Sequence, residues 1–556
     1  MAIHKSLSLA FLLILPAFLS SHATAAPSPP PPEVESLLKW KASLSPAQAL
    51  HSWSLPAANA STNAISPCKW TGISCNSLGS VTDINLPSAG LQGKLDNLSF
   101  PSFPNLVRLN LSGNTLTGTI PTHIGTLHKL MSLDLSANKI SGSIPVEIGN
   151  LVNLNELDLS INYIDGSIPS TLGNLSKLSI LFLYQNRISG SIPPHIGNLQ
   201  DLVQLSLFQN NLTGPIPPAL GNLTMLTILY LSMNQISGTI PAELGYLKNL
   251  VELRLYQNNL TGSVPSSLGN LTKLTVLYLF QNQISGTIPP ELGNLMSLNK
   301  LTLDQNNITG LIPPALGNLS MLTILSLYKN QISGTIPAEL GNLKNLVDLE
   351  LDQNNLTGPI PLALGNLRNL TLLFLYSSIP SSLGNLTKLT VLYLFQNQIS
   401  GTIPPELGNL MSLNKLTLDQ NNLTGLIPPA LGNLSMLTIL SLDKNQISGT
   451  IPAALGNLEN LVELTLYQNN LNGQIPPALG NLSMLTILYL SKNQFSGTIP
   501  MELGNLKNLV GMSLHTNILT GPISPALGNL SYLTNLYLYT NQISGSIPTE
   551  IGNLGT

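Results

Sequence analysis

The chain is short of charge: of its 556 residues only 8% are Asp, Glu, Lys or Arg, and the net charge is −3. No run of Lys and Arg stands anywhere in it, which argues against nucleic acid as a partner. Cysteine is almost absent, with only Cys68 and Cys75. Two thiols without a nearby His exclude a structural zinc site and a disulfide-dense scaffold. Beyond the first 25 residues no stretch reaches 18 consecutive apolar residues, so that part has no transmembrane segment. His51, His123, His128, His195 and His515 are scattered, without a partner cluster. No nucleophile elbow, phosphate loop or zinc-ligand pair occurs. The chain therefore reads as no enzyme, with no catalytic residue, no metal and no cofactor.

What fills the chain is one repeated phrase, Leu325-Ser-Leu-Tyr-Lys-Asn-Gln-Ile-Ser-Gly-Thr-Ile-Pro-Ala-Glu-Leu-Gly-Asn-Leu-Lys-Asn-Leu, and its copies. One asparagine tracks it: Asn114, Asn138, Asn162 and so on to Asn354 stand 24 apart, and the series resumes from Asn397 to Asn541. Residues 81–556 hold about 20 such turns. A fixed period with Leu at every second or third place predicts a solenoid, because one unit cannot bury its apolar face alone. Leu325 and Leu327 alternate with outward residues, which is strand spacing. Asn330 is expected to turn inward and bond the backbone of adjacent turns. Gly334 permits a tight bend, Pro337 fixes the chain, and Leu340, Leu343 and Leu346 close the far side.

The portion Leu212-Thr-Gly-Pro-Ile-Pro-Pro-Ala-Leu-Gly-Asn-Leu223 resembles the plant-specific leucine-rich repeat. That repeat is found in plant receptor-like kinases, receptor-like proteins and polygalacturonase-inhibiting proteins. The resemblance implies an α/β repeat solenoid, a right-handed superhelix with a parallel β-sheet on the concave face. It also implies recognition of a peptide or protein ligand, together with a co-receptor ectodomain.

In chain order, residues 1–25 carry Lys5, an apolar run from Leu7 to Leu19 and Ala23-Thr24-Ala25, the order of a secretory signal peptide. The expected place is the secretory pathway, then the apoplast or the plasma-membrane surface. Residues 26–32 form a Pro-rich mature amino terminus. Residues 33–80 resemble the plant amino-terminal cap, with Val34, Leu37, Leu38, Trp40 and Leu44 at helical spacing up to about Ser54. A Cys68–Cys75 disulfide is expected there, in an oxidising compartment, contributing about 2–3 kcal/mol.

Two irregularities stand out. Residues 266–325 and 381–440 are the same 60-residue text except for Ile308 against Leu423, which points to duplication of a block. The turn near 373–380 lacks five residues and its ladder Asn, which predicts a distortion of the stack or an artefact in the sequence around Ser377. The chain stops in mid-repeat at Thr556 without a carboxy-terminal cap, as expected for part of a receptor ectodomain or a truncated relative of one.

Asn-x-Ser/Thr sequons at Asn59, Asn97, Asn110, Asn174, Asn211, Asn222, Asn259, Asn270, Asn307, Asn318, Asn355, Asn369, Asn385, Asn422, Asn433, Asn481 and Asn529 are expected glycan acceptors. Those in Gly-Asn-Leu-Thr/Ser, such as Asn222 and Asn270, belong on the convex side. The residues six, four and two before each ladder Asn are expected to face the concave surface. Those columns bring together Phe182, Tyr184, Phe208, Tyr230, Arg254, Tyr256, Tyr278 and Phe280, flanked by Gln185, Gln209, Gln257 and Gln281. Exposed aromatics among polar groups suit recognition. At ~4.8 Å per strand, five turns span roughly 20 Å, the reach of an extended peptide. A similar group is expected at Tyr376, Tyr393 and Phe395. The reading is the extracellular ligand-binding part of a plant leucine-rich-repeat receptor, in defence or development. A secreted polygalacturonase inhibitor and a non-functional fragment remain open.

Overall fold

The structure, a computed structural model, describes residues 31–45, 48–55, 66–374, 379–394 and 399–554. The signal segment, most of the 26–32 tract, Asn59, Tyr376, Phe395, Asn397 and the gap around Ser377 lie outside them.

Most turns contribute a three-residue strand centred on a buried leucine, such as Ile324–Ser326, to one parallel sheet. Successive strands pair at the repeat spacing: Leu301 opposes Leu325, and Leu325 opposes Leu349. A second, fragmentary parallel ladder follows the ladder Asn, as in Asn211–Pro215 against Gln235–Thr239. The far side is built of five-residue 3-10 turns, such as Ala338–Asn342, rather than α-helices. The reason lies in Gly341. A Cβ there would stand 2.4 Å from the Ala363 carbonyl oxygen of the next turn, so the turns approach too closely for anything but glycine. Gly334, at φ +74°, makes the bend the sequence assigns to it.

The core runs unbroken along the stack, with Leu340, Leu343, Leu346 and Leu349 all fully buried. The ladder asparagine locks neighbouring turns. Asn330 donates through Nδ2 to the carbonyls of Leu303 and Leu327, each at 3.0 Å, and its Oδ1 accepts from the Ile308 N–H at 3.0 Å. Its amide is thus fully used, as a buried polar group must be.

The amino-terminal block closes one end of the sheet. The helical spacing read as far as Ser54 resolves into helix α1, Pro32–Ser43, and a single 3-10 turn, Gln48–Leu50. Pro46 explains the break, since the residue before a proline disfavours helix. All three tryptophans pack here: Trp40 lies 6.3 Å from Trp53, and Trp53 stacks on Trp70 at 5.7 Å. Strand Ile73–Cys75 pairs antiparallel with Val81–Asn85, which in turn starts the parallel sheet. An exposed sheet edge is thereby covered. Cys68 and Cys75 form the disulfide.

At the irregular turn the main sheet continues in register, with Leu373 opposite Leu392 and Phe374 opposite Tyr393. The pairing spacing drops there from 24 to 19 residues, so the concave strands absorb the loss without a break.

Candidate ligand-binding face

Strand pairing turns each outward position into a column along the sheet. Phe182 opposes Ser206, Ser206 opposes Tyr230, Tyr230 opposes Arg254, and Arg254 opposes Tyr278. The eight residues singled out by sequence are all half-buried, and they form three contact groups.

In the first group, Phe182 meets Tyr184 edge-on at 5.9 Å, and Tyr184 stacks on Phe208 at 4.9 Å. In the third, Tyr256 stacks on Phe280 at 4.4 Å while Tyr278 meets both edge-on. Between them lies a polar node. The Tyr230 hydroxyl donates to Glu252 at 2.5 Å, and Arg254 donates to the same carboxylate at 2.6 Å. The Arg254 guanidinium also lies over the Tyr230 ring at 4.4 Å and near Tyr278 at 5.7 Å. Burial, aided by the Glu252 hydrogen bond, pushes the Tyr230 phenol up to about 12, so it stays a neutral donor. The charge of Arg254 is balanced internally. The patch therefore presents aromatic faces and an amide rim, where Gln185 donates to Gln209 at 3.0 Å. Cross-strand packing holds these rings before any ligand arrives, which lowers the entropy cost of binding.

Further along, the same columns turn acidic. Asp304 and Asp352 stand on either side of the turn that carries Tyr328, and burial pushes both carboxyls up to about 6. The Ser326 hydroxyl donates to Glu350 at 2.6 Å. Sequence reasoning passed over a second aromatic group toward the carboxy-terminal end: Tyr467, Tyr489, His515, Tyr537 and Tyr539 surround a cavity of about 350 Å³. The column rule would have found it had it been carried on past the duplicated block.

The sequons fall into rows. Asn174, Asn222, Asn270, Asn318, Asn385, Asn433, Asn481 and Asn529 are exposed and end 3-10 turns on the convex side, on alternate turns within each of two series. Asn211, Asn259, Asn307, Asn355 and Asn422 are exposed beside the ladder Asn, and Asn97 is exposed next to the cap. Two differ. Asn110 is half-buried and accepts from the Ser112 N–H at 3.0 Å. Asn369 is half-buried, donates to the Lys344 carbonyl at 2.9 Å and accepts from Lys388 at 2.9 Å.

Comparison with known proteins agrees with this architecture. A leucine rich repeat N-terminal domain matches residues 30–76, a leucine-rich repeat region matches 91–238, and leucine rich repeats match 224–284, 296–356 and 435–495. A probable leucine-rich repeat receptor-like protein kinase of Arabidopsis thaliana is 40% identical over 114 residues. That match spans 20% of this chain and 9% of the kinase. The MDIS1-interacting receptor like kinase 2 of the same plant is 39% identical over 130 residues, 23% of this chain and 12% of that protein. Among solved structures, the plant peptide hormone receptor RGFR1 in complex with RGF2 superposes with a TM-score of 0.75 at 37% identity, covering 88% of this chain and 85% of that one. The Arabidopsis receptor kinase HAESA, in complex with the peptide hormone IDA and the co-receptor SERK1, gives 0.73 at 37% identity, covering 94% and 92%. Among the described residues no helix is long and apolar enough to cross a membrane. In repeat, cap and course, this chain belongs to the plant leucine-rich-repeat receptor family and has the fold of its ectodomains.

Proposed function

We propose that this chain is the ligand-recognition part of a plant cell-surface receptor. It enters the secretory pathway, carries glycans on its convex and lateral rows, and faces the cell exterior. An extended peptide lies along the columns from Phe182 to Phe280, and the complex recruits a co-receptor ectodomain. The observation that carries this reading is the pre-packed, charge-balanced aromatic patch on a sheet that is otherwise poor in aromatics over the preceding turns. The peptide-bound state of the receptors similar to this chain supports the ligand class. Because the curated relatives are matched over a small share of their length, the signalling output belongs to this proposal as well.

The test uses the secreted full chain and a synthetic library of extended peptides. For any peptide selected by the native protein, Tyr256→Ala with Phe280→Ala weakens binding by at least about tenfold, as expected when two central aromatics are truncated. Circular dichroism and secretion stay as in the native chain. Equal affinity in the double variant would move the site elsewhere.

A further inference from the structure

The cavity near the carboxy-terminal end of the sheet differs in kind from the patch at 182–280. Its floor is Ser491 and Ser513, only 4% and 6% exposed. Both line the cavity, and neither hydroxyl has a hydrogen-bond partner among the described residues. One wall is Tyr489. Its ring has room because Gly511 stands where neighbouring strands carry a side chain; a Cβ there would lie 3.2 Å from the phenol oxygen. The opposite wall is the His515–Tyr539 pair, stacked at 4.3 Å with planes 8° apart. Lys492 is exposed and lines the cavity beside Ser491. Burial first, and Lys492 second, hold His515 below its usual pKa, so the imidazole is neutral at pH 7. Negative charge nearby is tied down: Asp443 accepts from Ser441 at 2.8 Å and from Thr465 at 3.0 Å, while Lys444 sits 5.7 Å over the Tyr467 ring.

No aliphatic side chain lines this cavity; every lining residue carries a hydrogen-bonding group. Such a wall gives an apolar peptide side chain little to pack against. Hydroxyls that open into a cavity and have no protein partner suit a ligand that supplies donors and acceptors. Flat aromatic faces call for a flat C–H surface, and one accessible ammonium calls for one anion. A pyranose ring bearing a carboxylate meets all three demands. We infer that this cavity is a second binding site, for a uronic-acid unit of an acidic oligosaccharide. The sugar's C–H face lies on the His515 ring, which Tyr539 backs from the next turn, its hydroxyls bond to Ser491 and Ser513, and its carboxylate pairs with Lys492. The site does not depend on the peptide reading of residues 182–280.

The experiment is calorimetric titration of the secreted full chain with three probes: trigalacturonate, the neutral trimer of galactose, and a tetrapeptide with a free carboxylate end. Trigalacturonate binds, and the neutral trimer binds at least about tenfold more weakly. Lys492→Gln, an exposed change checked by circular dichroism, removes that preference for the acid, and His515→Ala weakens both sugars. Equal affinity for acidic and neutral trimers, or an unchanged preference in Lys492→Gln, overturns the assignment. Preferential binding of the tetrapeptide makes the cavity a peptide-terminus site instead. No sugar binding at all also overturns it.

Discussion

Replacing Asn330 with leucine tests the bond that joins neighbouring turns. The two side chains are close in volume, so the change removes polarity more than packing. It deprives the buried Ile308 N–H of its acceptor, while the Leu303 and Leu327 carbonyls each lose one of two donors and keep the other, from Asn306 and Asn354. An orphaned buried N–H costs about 1–3 kcal/mol, and carbonyls that keep one donor add little. Added apolar burial returns about 1 kcal/mol. The net expectation is a loss of about 1–2 kcal/mol. Repeat proteins are stabilised by nearest-neighbour contacts, so the loss should stay near the turns of Asn306, Asn330 and Asn354. Hydrogen exchange resolved by peptide is therefore the right assay, since global unfolding of a long array need not be two-state. Exchange should quicken in those turns and stay unchanged around Asn138. Asn330→Asp should be worse than Asn330→Leu, because a carboxylate cannot donate to the two carbonyls. A loss under about 0.5 kcal/mol, the typical size of a surface substitution and the level expected of the exposed control Gln331→Ala, would refute the account of the ladder.

Three further outcomes follow from the geometry. Ile161 holds a φ of +55° while 44% exposed, and the equivalent residue in an earlier turn is Gly113 at +68°. A β-branched residue is strained there, so Ile161→Gly should raise stability by about 0.5–1.5 kcal/mol in urea unfolding. Gly341→Ala would place a methyl 2.4 Å from the Ala363 carbonyl oxygen and should cost about 2–3 kcal/mol. Gly552→Ala, with nothing within 4 Å, is the neutral control, and equal effects of the two on melting temperature would contradict the packing argument. The carboxyls of Asp304 and Asp352, both raised to about 6, bind protons more tightly in the folded than in the unfolded chain. Their contribution is therefore most favourable near pH 4, falls as pH rises through 4–6, and is level above that, by roughly 1–2 kcal/mol per group. Asp304→Asn with Asp352→Asn should flatten this part of the pH–stability curve, and an unaltered slope would show that these carboxyls titrate normally.

Much of the molecule was legible in the sequence because its tertiary neighbours are also periodic neighbours. A residue 24 positions away is the adjacent residue in space, so reading columns of text amounts to reading the sheet. Leu325, Asn330, Gly334 and Leu340 could each be given a task from that rule alone, and the eight patch residues could be gathered onto one face. The amino-terminal block was legible for another reason: tryptophan and cysteine are so scarce that their clustering marks a separate unit.

What the period could not carry was decided by packing between columns. Gly341 looks like any loop glycine until the next turn's carbonyl is found against it. The residue before each ladder Asn, such as Gln185 at φ +53°, gives no sign in the text of its left-handed backbone, because Gln is common there for other reasons. Arg254 reads as a ligand contact, yet its guanidinium is held by Glu252 and two tyrosine rings. The raised carboxyls at Asp304 and Asp352, and the cavity over Ser491 and Ser513, arise from rotamers and burial summed over several turns. Sequence alone determined which side chains share a face, since that follows from strand alternation and a fixed repeat. Only the tertiary structure decided which of them are spent on one another and which remain free for a ligand, since that depends on distances no repeat length encodes.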